Sequence, residues 1–275
     1  MSGDTRNSLE LRDLKFSYTP QQELIHNLNL RFEPGKIIVL LGPNGSGKST
    51  IIHLLSGLIK PQAGAVFLGG EDIRSYSPRR RAQYIALVPQ LHTPPPGTTV
   101  RDALIMGRYP YRRGINALEC PSELWEFGIG QFELQPLLDH TLDTLSGGEL
   151  QRVMIARAVI QDPRFLILDE PGAHLDIHHQ VLAMRVLKNL ANRGQGILMV
   201  LHDLTVALQV ADEVVLLGPG SAEAGAHGDP SYSRPELLQG PPDLVLQEER
   251  LSRVYKNPVQ IIRNPGGVAA VYHFS

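Results

Sequence analysis

The segment that most constrains this chain is the apolar run 37–41, which passes directly into Gly42-Pro43-Asn44-Gly45-Ser46-Gly47-Lys48-Ser49-Thr50. The run predicts a strand over residues 36–41, buried on both faces. Helical spacing then begins at Lys48 and continues to residue 58, before Lys60-Pro61 stops it. A strand, a glycine-rich turn and a helix in this order fit a phosphate-binding loop. The glycines let successive backbone N–H groups curl inward toward phosphate oxygens, and the helix adds its positive N-terminal end. In such a loop Lys48 reaches the β- and γ-phosphates and the Ser49 hydroxyl ligates Mg²⁺. Residues 42–50 are therefore expected to hold a nucleotide.

A second strand, residues 165–168, ends in Asp169-Glu170. A carboxylate at the end of a buried apolar strand is costly unless it has a partner. Magnesium on the nucleotide supplies one, so Asp169 is expected to face the metal. Glu170 then projects from the carboxyl end of the strand, where α/β sheets bind ligands. There it is placed to orient and activate an attacking water.

Apolar runs of strand length alternate with stretches of helical period, which predicts an α/β fold with parallel strands. Residues 9–18, 22–32, 65–68, 86–88 and 196–201 read as further strands. From Leu91 the texture changes: Thr93-Pro94-Pro95-Pro96-Gly97 excludes regular structure, and residues 99–107 and 122–138 read as largely helical, giving an insertion over 91–144. After Gly218-Pro219-Gly220 the chain is rich in Gly, Pro and Ala, with strand-like pieces at 259–263 and 268–273. The apolar share of 42%, the charged share of 20% and a net charge of −2 are ordinary for a globular α/β chain and give no long-range attraction to nucleic acid. Each apolar run is far shorter than the roughly 20 residues that span a bilayer. Residues 1–7 lack the pattern of a signal peptide, and the single cysteine, Cys120, cannot form an internal disulfide. Any association with a membrane is expected to come through a partner.

Leu145-Ser146-Gly147-Gly148-Glu149-Leu150-Gln151-Arg152 reads physically as a capped helix start, with Ser146 as N-cap and two glycines allowing close backbone approach. It also resembles, almost letter for letter, the signature motif of ABC transporter ATPases. The resemblance covers roughly residues 9–220. It implies a P-loop NTPase (RecA-like) core with a mixed sheet, an antiparallel β subdomain and a helical signature subdomain. On this reading residues 1–275 form a single ABC ATPase domain, with the nucleotide-binding core at about 1–90 and 145–220, the helical subdomain at 91–144 and a C-terminal extension at 221–275.

The resemblance further implies that Ser146, Gly147 and Gly148 serve a nucleotide bound to a second copy of the chain, so that two ATP molecules are sandwiched in a homodimer. Gln90 matches the glutamine that contacts Mg²⁺ and the water. His202 matches the switch histidine at the γ-phosphate, Tyr18 the aromatic stacked on adenine, and Asp176 the last residue of the D-loop. In that loop Gly172 and Ala173 stand where relatives have small polar residues. ATP and Mg²⁺ are the implied cofactors.

Within the family, Ala82-Gln83-Tyr84-Ile85-Ala86-Leu87-Val88-Pro89-Gln90, Gly107-Arg108-Tyr109-Pro110-Tyr111, Leu175-Asp176-Ile177-His178-His179-Gln180 and His202-Asp203-Leu204 resemble the subunits that drive uptake of ferric siderophores, haem and cobalamin. The implied assembly has two copies of this chain, a polytopic permease dimer and an extracytoplasmic substrate-binding protein, with this subunit peripheral on the cytoplasmic face of a bacterial inner membrane. A metal-ion or oxyanion importer, such as one for molybdate, and a soluble ABC protein without a permease are the competing readings; the near-neutral charge speaks against the second. Arg108, Tyr109 and Tyr111 are expected either to line a groove for the permease or to pack the insertion. Arg79, Arg80 and Arg81 are expected on a solvated helix face. His178 and His179, adjacent on a helix, are expected to point to different sides and to be surface residues.

Overall fold

In the computed structural model, residues 8–19, 22–90, 95–112, 119–218, 236–264 and 267–272 are described. Several expectations fall outside them: residues 1–7, Leu91, Thr93 and Pro94, Pro219 and Gly220, most of the Gly/Pro/Ala-rich tail, and His273. The chain opens with β1 (Leu9–Thr19) and β2 (Gln22–Phe32), followed by β3 (Ile37–Leu41), α1 (Lys48–Leu55), β4 (Ala63–Leu68), β5 (Glu71–Asp72), α2 (Pro78–Arg81) and β6 (Ile85–Val88). The helical stretch holds α3 (Val100–Met106) and α4 (Ser122–Gln131). The chain returns through α5 (Gly147–Ile160), β7 (Phe165–Asp169), α6 (Ile177–Asn192), β8 (Gly196–Val200), α7 (Leu204–Val210) and β9 (Glu213–Gly218). It ends in β10 (Glu236–Gly240), α8 (Pro242–Val245), α9 (Glu248–Tyr255), β11 (Val259–Asn264) and β12 (Gly267–Tyr272).

Two sheets carry the architecture. The central one has the order β10-β9-β3-β8-β7-β6, parallel throughout except for β10 on its edge. The other is antiparallel, β2-β1-β4-β5. A small hairpin, β11-β12, packs on α7. The expected mixed sheet with an antiparallel β layer and a helical stretch is the fold observed.

Strand alternation explains how the central sheet divides the core. Ile37, Val39 and Leu41 of β3 face a cluster that includes residues of α3 to α6, whereas Ile38 and Leu40 face α1 and the antiparallel sheet. The same split recurs in β7, where Leu166 and Leu168 oppose Phe165 and Ile167, and in β8, where Ile197 and Met199 oppose Leu198 and Val200. All three strands are fully buried, so no polar alternation is visible in them. Each such Leu or Ile side chain contributes about 1.5–3 kcal/mol by leaving water, and Leu40→Ala would cost about 2–5 kcal/mol.

Register then fixes where chemistry can occur. Val88 pairs with Leu168, Asp169 with Val200, and Leu40 with Val200. The carboxyl ends of β6, β7, β8 and β3 therefore lie in one row, and the residues just beyond them emerge side by side.

Two elements depart from the sequence reading for local reasons. The helix expected to reach residue 58 ends at Leu55, because Gly57 takes a left-handed φ of 68°. The helical stretch 122–138 breaks after Gln131: Glu133 sits at φ 52° and Pro136 follows, leaving only a 3-10 turn at Gln135–Leu137. Of the two readings open for Arg108 and Tyr111, packing the insertion is the one observed. Arg108 is buried, donates to the carbonyls of Ile160 (3.1 Å) and Gln161 (3.2 Å), and stacks on the Tyr111 ring at 4.0 Å, while Tyr109 stays exposed. Arg79 also departs from a purely solvated role, since its Nε donates to the carbonyl of Pro110 at 3.1 Å.

Candidate nucleotide site

The glycine-rich loop joins β3 to α1 in the predicted setting. Gly42 has φ 151°, and a Cβ there would sit 2.6 Å from the carbonyl oxygen of Leu217 on the neighbouring β9, so no other residue fits. Gly47 has φ 95° and forms the N-cap of α1 without a side-chain bond, leaving the backbone N–H groups of the first turn facing the loop. Lys48 is buried and folds back over the loop, donating to the carbonyls of Gly42 (2.8 Å) and Pro43 (2.9 Å). Burial holds its ammonium below the usual lysine range, against the opposing pull of Glu170 and Asp169.

At the end of β7, Asp169 is 6% exposed and accepts from the Ser49 hydroxyl at 3.2 Å. Burial pushes its carboxyl above the usual range, with the Ser49 bond partly offsetting it. The next residue, Glu170, lies in the left-handed region at φ 52°, pinned by its backbone N–H to the Val200 carbonyl at 3.1 Å. A non-glycine residue held there is strained, and such strain persists only where surrounding contacts over-determine it. Here they do. Gln90 donates to Oε2 of Glu170 at 2.8 Å, and Nε2 of His202 lies 2.6 Å from Oε1.

Tyr18, on the antiparallel sheet, is 65% exposed, packs edge-on against Phe16 and shares a 3.1 Å hydrogen bond with the Thr50 hydroxyl. Together these side chains line one cleft of about 690 Å³, with Asn44, Gly45, Gly47, Lys48, Ser49 and Thr50 on its floor and Gln90, Glu170 and His202 along one wall. The volume suits a ligand of nucleotide size. Leu24 and Val200 also line it. Sequence reasoning missed both, because each is an ordinary apolar residue in a strand. Pro43 contributes its carbonyl to Lys48, and Ser46 donates its backbone N–H to the Pro43 carbonyl at 3.3 Å.

The signature residues lie elsewhere. Ser146 caps α5 in a reciprocal capping box: its Oγ accepts from the Glu149 N–H at 3.3 Å, and Glu149 accepts from the Ser146 N–H at 2.8 Å. Those bonds hold the Glu149 carboxyl below its usual range. Gly148 is required by close approach, since a Cβ would stand 2.8 Å from the His174 carbonyl oxygen. Ser146, Gly147 and Gly148 line a second cleft with His174, Leu175, Asp176 and His179. The fold thus brings the loop, Asp169, Glu170, Gln90, His202 and Tyr18 together and leaves the signature helix and Asp176 on a separate surface.

Asp176 caps α6, accepting from the His179 N–H at 2.8 Å and from its ring Nδ1 at 2.9 Å; these bonds hold its carboxyl below the usual range. The two histidines do not diverge as expected. Nε2 of His178 and Nε2 of His179 both lie 3.6 Å from the Glu133 carboxylate, because the broken end of α4 brings that residue over the first turn of α6.

Comparison with known proteins agrees with this geometry. The family described as "ABC transporter" matches residues 25–173. The chain is 36% identical over 259 residues to the achromobactin transport ATP-binding protein CbrD of Dickeya dadantii (strain 3937), covering 92% of this chain and 90% of the relative. It is 35% identical over 246 residues to the hemin import ATP-binding protein HmuV of Nocardia farcinica (strain IFM 10152), covering 90% and 80%. Among solved structures, the dimeric bacterial ABC transporter cassette MJ0796 superposes with a TM-score of 0.68 at 27% identity, over 76% of this chain and 93% of that one. The family match, the long relatives and the cleft of this chain agree: this chain is an ATP-binding, ATP-hydrolysing member of the ABC transporter family.

Proposed function

We propose that this chain powers import of a metal chelate (a ferric siderophore, haem or cobalamin) through a membrane permease, as a homodimer that sandwiches two ATP molecules. The observation that carries the catalytic half of this reading is the Glu170 carboxylate. It is clamped by Gln90 and His202 at the carboxyl edge of the sheet, beside a phosphate-binding loop. The cargo class rests on the achromobactin and hemin transport for which CbrD and HmuV are named, and on their long, co-extensive matches.

In this mechanism residues 42–50 cradle the phosphates through backbone N–H groups, and Lys48 swings from the loop carbonyls to the β- and γ-phosphate oxygens. Asp169 and Ser49 suit Mg²⁺: both are hard oxygen donors, and a buried carboxylate with a raised pKa gains from a cation. Asp169 and Ser49, with Gln90 alongside, would hold the ion, which would offset phosphate charge at this end of the cleft. Glu170 orients the attacking water and takes its proton. His202 contacts the γ-phosphate, and Tyr18 stacks on the adenine. Ser146, Gly147, Gly148 and Asp176 act on the nucleotide of the second copy, which explains why they stand apart from the first cleft. ATP favours the closed dimer because its γ-phosphate touches both subunits, and hydrolysis removes that differential contact.

The helical segment at 91–144 meets the permease, an extracytoplasmic binding protein delivers the cargo, and the subunit sits on the cytoplasmic face. Among the described residues no helix is long and apolar enough to cross a membrane, which fits attachment through a partner. Purification of the tagged chain from native membranes in mild detergent tests this reading. A polytopic permease of the siderophore, haem and cobalamin class is the expected companion; a permease of another class would overturn the cargo assignment, and none at all would overturn the transport role.

A further inference from the structure

Glu133, His178 and His179 form a cluster that the nucleotide mechanism does not use. Glu133 stands just beyond α4 with its backbone at φ 52°, and the two histidines open α6. One ligand atom from each lies within 4.8 Å of the others. Both Nε2–carboxylate separations are 3.6 Å, too long for hydrogen bonds. Around a tetrahedral ion with bonds of about 2.0–2.2 Å, neighbouring ligand atoms stand about 3.4 Å apart. Each imidazole thus stands close to that spacing from one of the two Glu133 oxygens, His178 from Oε1 and His179 from Oε2.

A second feature selects the chemistry. Nδ1 of His179 is engaged by the Asp176 carboxylate at 2.9 Å. That contact fixes the tautomer and aims Nε2 at Glu133, the carboxylate–histidine arrangement that orients imidazole toward metals. Two imidazoles and one carboxylate favour borderline divalent transition ions over Mg²⁺ or Ca²⁺. Charge is also balanced: the Glu133 and Asp176 carboxylates offset an ion of charge +2. The N-terminal dipole of α6 opposes a cation by only about 0.3–1 kcal/mol at an exposed site. Glu133 and His178 are largely exposed, which leaves the fourth position open to water.

We propose that Glu133, His178 and His179 bind a divalent transition ion of the zinc class, tying the turn after α4 to the start of α6. The test is calorimetric titration of zinc chloride into the chelator-stripped full chain without nucleotide. A one-to-one saturable isotherm is expected, weakened at least tenfold in Glu133→Gln and in His178→Gln, with melting temperatures in chelator unchanged. Cobalt(II) should give the visible absorption bands of a tetrahedral centre in the wild type and lose them in both variants. The chain has ten histidines, so binding alone is not diagnostic. A flat titration, or an isotherm that both variants leave intact, would overturn the site and leave an ordinary surface cluster.

Discussion

Nε2 of His202 lies 2.6 Å from Oε1 of Glu170, and that contact joins the ends of two parallel strands, β8 and β7, across the mouth of the cleft. With Gln90 on the other carboxylate oxygen at 2.8 Å, Glu170 is positioned from both sides before any substrate arrives. Preorganisation of this kind lets a general base act without reorganising during the reaction.

Glu170→Gln keeps the size and one accepting oxygen, turns the other into a donating amide, and removes the carboxylate proposed as the base. ATP hydrolysis should fall by roughly 10²–10⁴-fold, the usual worth of a positioned general base. ATP binding should persist, and the variant should accumulate as an ATP-bound dimer. Phosphate-release kinetics and size-exclusion chromatography with ATP check this; turnover near the wild-type rate would contradict it.

Lys48→Ala removes the one buried ammonium on the loop. Charge-assisted contacts to phosphate contribute about 1.5–3 kcal/mol, so ATP affinity should fall roughly tenfold or more. Titration with a fluorescent nucleotide measures it, and unchanged affinity would remove Lys48 from the site.

Asp169 gives a pH-dependent prediction with a definite sign. Its carboxyl is held above the ordinary range by burial, so the folded state binds the proton more readily than the unfolded chain does. The charged form therefore costs stability, absent below the ordinary aspartate range and growing as pH rises through the raised folded value. Asp169→Asn should melt higher than wild type at neutral pH without nucleotide, by roughly 2 °C or about 1 kcal/mol, and the gap should close in acid. The same variant should lose Mg²⁺-dependent hydrolysis. A variant that melts below wild type at neutral pH would contradict the burial cost.

Gly148→Ala places a methyl group 2.8 Å from the His174 carbonyl and forces the signature helix away from the D-loop. Misplacement of about 1 Å near a reacting centre can cost 10²-fold, so hydrolysis should drop by about that factor. Affinity of the monomer for ATP should hold, because the first cleft does not include this residue. Full activity would place the signature helix outside the reaction.

Much of the site was legible because its residues are local to strand ends. The loop 42–50 and the pair Asp169-Glu170 announce themselves as chemistry following a buried apolar run. What escaped was long-range or conformational. The encounter of His178 and His179 with Glu133 depends on where α4 breaks, and that break comes from a left-handed backbone at Glu133 that side-chain periodicity does not encode. Leu24 and Val200 joined the cleft through sheet packing alone. Sequence left Arg108 open between a permease groove and the packed insertion, because arginine beside tyrosines suits both, and two backbone carbonyls at the end of α5 decide for the interior. Strands β9 and β10 pass unmarked in sequence, since only pairing distinguishes them from other apolar stretches.

The most direct test of the central claim is uptake in proteoliposomes that contain this chain and its co-purified permease. Labelled ferric siderophore, haem and cobalamin would be offered with the binding protein outside and ATP inside. ATP-dependent accumulation of one of these ligands, abolished by Glu170→Gln, is the predicted result. Accumulation that continues in that variant, or steady ATP hydrolysis with none of the three chelates moved, would contradict the account.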